Sequence, residues 1–120
     1  MNWYIAKLVF RIVCGEGEHT PQFDEQLWLV AAHSQQEAMR KAQGNGNREE
    51  ESISKEHTPL VKWQFIDVAE LHEIKGLEDG IELYSRVEET DNASQYINYI
   101  KLKAQAIMQT PIHTGIPVYS

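Results

Sequence analysis

Five histidines, one cysteine and a run of carboxylates are the groups of this sequence that could do chemistry. His19, His33, His57, His72 and His113 lie 14, 24, 15 and 41 residues apart, and none belongs to a tight metal-ligand motif such as H-E-x-x-H. His72 and Glu73 are the one histidine–carboxylate neighbour pair of interest, but adjacent strand residues point to opposite faces. Packed or solvent-facing histidines therefore account for the pattern better than ligands. Cys14 falls on the apolar side of a strand, which favours buried packing over a reactive thiol. Gly15-x-Gly17 leads into a breaker-rich turn, not a helix, so it is not a phosphate loop. Glu49–Glu51 lacks the alternating spacing of a calcium loop and reads as a solvated face or loop. The expectation is no metal, no cofactor and no catalytic residue, although an acid/base pair among the many carboxylates stays open.

The constellation of greater interest is a surface, and it depends on which way the strands face. Asn2 to Cys14 alternates throughout: Tyr4, Ala6, Leu8, Phe10, Ile12 and Cys14 form an apolar side. Phe23 to His33 is a second strand, paired with the first as an antiparallel hairpin, with Phe23, Leu27, Leu29 and Ala31 expected on the core side. Ile81 to Glu88 is expected as the last strand, with Ile81, Leu83, Ser85 and Val87 inward. The outward face then collects Trp3, Ile5, Lys7, Val9, Arg11, Asp24, Gln26, Trp28, Val30, Glu82, Tyr84 and Arg86. Tryptophan, tyrosine and arginine among aliphatics are the mixture found at interface cores, whereas an open sheet face is ordinarily polar. The competing reading is that long Lys and Arg stems or the C-terminal tail simply cover these rings.

The remaining elements follow in order. Ser34-Gln35-Gln36-Glu37 is a capping box, with the Ser34 hydroxyl expected on the Glu37 amide and the Glu37 carboxylate on the Ser34 amide. Ala38, Met39 and Ala42 continue the helix, and Gly44-Asn45-Gly46 should end it. A short strand is expected over Ile53 to Lys55, a turn over 56–59, and a longer strand over 60–68 with Val61, Trp63 and Phe65 on one face. The alternation blurs at Asp67 to Glu70, predicting a bulge or one helical turn before Leu71 to Ile74. Asp79-Gly80 marks a turn. Asp91 or Asn92 caps a last helix over 93–108, striped by Ala93, Tyr96, Ile97, Ile100, Ala104 and Ile107. The tetrapeptide Glu-His-Thr-Pro recurs at 18–21 and 56–59; different elements follow each copy, so two similar turns explain it better than a duplication. The fold expected is α+β, a mainly antiparallel sheet with two helices packed on one face, in a single domain over 1–108 with a tail over 109–120.

Composition narrows the partners. The 120 residues carry 18 acidic and 11 basic side chains, net charge −7, which disfavours nucleic acid and anionic membranes. No apolar run reaches the roughly 18 residues of a membrane span, no secretory signal is visible, and a lone cysteine suits a reducing cytoplasm.

Trp3-Tyr4-x-Ala6-Lys7-Leu8, Asp24-Glu25-Gln26-Leu27, the helix start Ser34 to Ala38, Val61-x-Trp63-x-Phe65-Ile66 and Asp79-Gly80-x-Glu82-x-Tyr84-Ser85-Arg86 occur in that order. Together, over about residues 2–104, they resemble a small, mostly bacterial family classed as a domain of unknown function. The Gly44–Asn47 stretch and the residues after Met108 fall outside that pattern. The resemblance implies a compact domain and no chemistry. The function expected is therefore a cytoplasmic, non-enzymatic interaction module that forms a homodimer or binds another protein through its open face. The binding surface would comprise Trp3, Lys7, Arg11, Trp28, Glu82, Tyr84 and Arg86. Two alternatives stand beside it: an immunity- or antitoxin-like inhibitor of a basic toxin, and a small-ligand-binding domain or enzyme with its site near Tyr84 and Arg86.

Overall fold

The computed structural model describes residues 1–56 and 61–109, with the backbone alone for 52–56. The element order is β1 (Asn2–Cys14), β2 (Gln22–Ala32), α1 (Gln35–Glu56), β3 (Val61–Ile74) and α2 (Ala93–Gln109). The class is α+β, as expected, with three antiparallel strands ordered β2-β1-β3. Two compact units are present: Met1–Ser85 holds the sheet and α1, and a second unit beginning at Arg86 holds α2. Residues 57–59 of the expected turn (and of the second Glu-His-Thr-Pro copy), Leu60, the side chains of 52–56 and the tail from 110 lie outside the described residues.

Within the first unit the even side of β1 is the core. Tyr4, Ala6, Leu8 and Phe10 are buried with Val30, Ala32, Ala38 and Ala42, and Phe10 and Leu8 are the largest side chains fully enclosed. The β1–β2 connection turns through Gly15 and Gly17, at φ 59° and 82°, a conformation glycine adopts without steric cost. His19 staples this turn: its Nε2 accepts the Cys14 N–H at 3.0 Å and its Nδ1 lies 2.9 Å from the Thr20 carbonyl.

The register that follows pairs Tyr4 with Val30, Ala6 with Trp28, Leu8 with Gln26 and Phe10 with Asp24. Directly opposed residues share a face, so the even residues of β2 turn inward, opposite to expectation. A one-residue change of register inverts every side chain of a strand. Phe23, Leu27 and Leu29 are consequently exposed, while Trp28 packs against the core. The indole Nε1 of Trp28 donates to Gln26 at 2.8 Å, Gln26 donates to Asp24 at 2.7 Å, and Trp63 donates to the same Asp24 carboxylate at 3.2 Å. That chain satisfies both ring N–H groups.

Helix α1 begins at Ser34, whose Oγ accepts the Glu37 N–H at 3.1 Å. The Glu37 carboxylate reaches one residue further back than expected, to the His33 N–H at 3.1 Å. The helix then passes through Gly44 and Gly46 to Glu56, so the expected stop at the glycines and the expected strand over Ile53 to Lys55 are both corrected. Ala38, Ala42 and Gly46 recur every four residues and bring the helix close to the sheet. A Cβ on Gly46 would fall into the Phe65 ring; here the glycine is a packing residue. The Glu49–Glu51 run lies on this helix, and the Glu50 carboxylate accepts the Phe65 N–H at 2.9 Å.

Strand β3 faces inward with Val61, Trp63 and Phe65, then Val68, then Leu71. The two three-residue steps coincide with register shifts opposite Val9/Phe10 and Lys7/Leu8. These are the expected bulge and a second one, and both lie inside one continuous strand. Gly80 turns the chain at φ 88°. Residues 81–88 carry no ladder, which corrects the strand expected there: alternation makes a strand only where a partner accepts its hydrogen bonds. In the second unit, Asn92 caps α2 through its Oδ1, 3.0 Å from the Gln95 amide, and no residue of α2 is buried.

Candidate functional site

Within the first unit no described helix lies on the side of the sheet away from α1, where Ile5 is buried and the β2 side chains are exposed. Along it β1 presents Trp3, Ile5, Lys7, Val9 and Arg11, and β2 presents Phe23, Glu25, Leu27 and Leu29 opposite them. Phe23 is 55 %, Leu27 67 % and Leu29 49 % exposed, and Trp3 adds a ring at 36 %. A groove of about 300 Å³ crosses this face, lined by Ile5, Lys7, Glu25, Leu27, Glu70, His72 and Tyr84.

At its centre Lys7 bridges the two outer strands. Its Nζ is 2.9 Å from Glu70 on β3 and 3.3 Å from Glu25 on β2. The bulge beside Leu8 brings Glu70 level with Lys7. Glu70 also takes a hydrogen bond from His72 Nε2 at 3.0 Å and one from Tyr84, whose ring sits 4.8 Å from that of His72. The His72 bond above all, then Lys7 and Tyr84, hold the Glu70 carboxyl at about 2, well below its ordinary 4.5. The Lys7 ammonium is in turn pushed up by the two carboxylates, Glu70 foremost.

This arrangement is poorly suited to proton transfer near neutrality: Glu70 is too weak a base and Lys7 too firmly protonated. It is suited to holding three strands and the Tyr84 segment in register. The linkage has a definite sign. Because the folded pKa of Glu70 is depressed, its contribution to stability is present above pH 4.5 and is lost as pH falls towards 2. Urea titrations across that window should therefore show Glu70→Gln with a shallower acid decline than the parent, a difference that vanishes near pH 2.

The sequence placed seven residues on one surface, and the structure distributes them. Trp3, Lys7 and Arg11 are on the open face of β1, and Tyr84 reaches it. Trp28 is on the helix side, with Asp24, Gln26 and Val30, because of the β2 register. Glu82 lines a second hollow, of about 470 Å³, between residues 72–75 and 81–85. Arg86 begins the second unit and pairs with Glu88 at 2.6 Å. Glu25, Glu70 and His72 were missed. The signal for the last two was present: residues two apart on a strand share a face, so Glu70 and His72 form a pair where His72 and Glu73 do not.

Cys14 is exposed, not buried as expected. Among the described residues no three His, Cys, Asp or Glu side chains converge as metal ligands. No described helix is long and apolar enough to cross a membrane.

Comparison with known proteins adds one finding: residues 3–85 match the model of a family described as a domain of unknown function (DUF4288). The match ends where the first compact unit ends, short of the span to about residue 104 that the motifs suggested. No curated protein and no solved structure matches the chain.

Proposed function

The chain belongs to the DUF4288 family, and we propose that the domain matched by the family model is a protein-interaction module that self-associates through its open sheet face. One observation carries this reading: Phe23, Leu27 and Leu29 stand about half or more exposed on one face of an edge strand, Leu27 and Leu29 next to each other. Contiguous apolar area of this kind is characteristic of a protein contact. Edge strands that must stay single usually carry inward charges, prolines or bulges, and β2 has none from Gln26 to Ala32. A two-fold homodimer is the commonest way for one such face to be covered. The setting proposed is the cytoplasm, where the exposed Cys14 stays a thiol.

The test is the solution mass of the full chain by light scattering, for the parent and for Leu29→Glu. The parent should be a dimer and the variant a folded monomer. A monomeric parent would overturn self-association and send the search to a basic protein partner. Trp28 is not a useful probe, since removing its ring would disturb the core.

A further inference from the structure

We infer that the open sheet face of each copy is covered by helix α2 of a second copy, so that the dimer exchanges its C-terminal helices. The inference rests on the self-association reading and names the element that performs it. Helix α2 is the one other described element with an unburied apolar stripe: Tyr96, Ile97, Ile100, Ala104 and Ile107 follow helical spacing, and none is buried. The dimensions fit. Neighbouring strands lie about 4.8 Å apart, so three strands span roughly 10 Å, close to the diameter of one helix. The sheet's other side shows the arrangement, for there α1 alone packs across β1, β2 and β3. A 17-residue helix is about 25 Å long, and an 11-residue strand such as β2 about 36 Å, so α2 lies within the face.

Charge fits as well. α2 has no acidic residue, and Lys101 and Lys103 flank its stripe on either side. Residues 1–85 carry fifteen acidic and eight basic side chains. In the groove Lys7 stands against two carboxylates, Glu25 and Glu70, one more acidic group than basic. Stoichiometry closes the argument. Each copy has one such face and one such helix, so reciprocal exchange covers both faces in a closed two-fold assembly.

Complementation in the full chain tests this. Leu29→Glu spoils the face and keeps the helix; Ile100→Glu spoils the helix and keeps the face. Both residues are about half exposed, and glutamate is a good helix former, so circular dichroism should show both variants folded. With exchange, each variant alone is monomeric, and an equimolar mixture recovers twice the monomer mass through the one intact junction. If Ile100→Glu alone stays dimeric, the faces pair with each other: the inference fails and the proposed function stands. If Leu29→Glu alone stays dimeric, the helices pair with each other and the inference fails. A mixture that remains monomeric also overturns it, and a monomeric parent overturns both readings.

Discussion

Phe10→Ala should lower the free energy of unfolding by about 3–5 kcal/mol, measured by urea denaturation of the full chain at neutral pH. Phe10 has no solvent exposure and sits on the central strand, between Asp24 of β2 and Phe65 of β3. Its ring centre is 5.3 Å from that of Phe65, the two planes tilted by 51°, a close ring contact that adds to simple burial. The Phe65 ring in turn lies against α1 at Gly46. Removing the Phe10 ring therefore opens a cavity where strand, strand and helix meet. Domains of this size are stable by roughly 5–15 kcal/mol in total, so the variant should be partly unfolded on warming. A loss under about 1 kcal/mol would mean that the core is centred elsewhere.

The two glycines of α1 should respond in opposite directions to the same substitution. Gly46→Ala places a methyl group inside the Phe65 ring, and the ring is backed by Phe10, so it cannot retreat into the core. Overpacking of this kind costs about 1–3 kcal/mol. Gly44→Ala meets only the end of the Arg48 side chain, 3.4 Å away. There the gain in helix propensity dominates, and stability should rise by about 0.4–1 kcal/mol. Thermal unfolding of both variants beside the parent checks the pair. Equal responses would contradict the close approach at Gly46.

These glycines also show where the sequence could be read and where it could not. Local rules say that two glycines within three residues end a helix. The reason to keep Gly46 is Phe65, nineteen residues away, and no local rule contains it. The inward side of β1 was legible because its even positions are uniformly apolar. The faces of β2 were not, because Phe23, Leu27 and Leu29 compete with Trp28 and Val30; a glycine turn settled the matter through register. The blurred alternation after Phe65 was a true record of bulged pairing. In the candidate site, Lys7 and Tyr84 were visible as unusual residues on an outward face. Glu70 was not, because it comes level with Lys7 only after the bulge has shifted the strand.

Placing the first strand in the middle of the sheet has a consequence for a chain made from its N-terminus. β1 and β2 can pair as soon as residue 32 is free, but β1's other edge must wait for β3, whose residues begin at Val61. About 40 residues separate the end of β2 at Ala32 from the end of β3 at Ile74, and at synthesis rates of roughly 5–20 residues per second the hairpin waits about 2–8 s. During that interval Leu8 and Phe10 are covered on one flank only. The nascent hairpin is thus the species that most needs a chaperone, and β3, by docking last, ends that need.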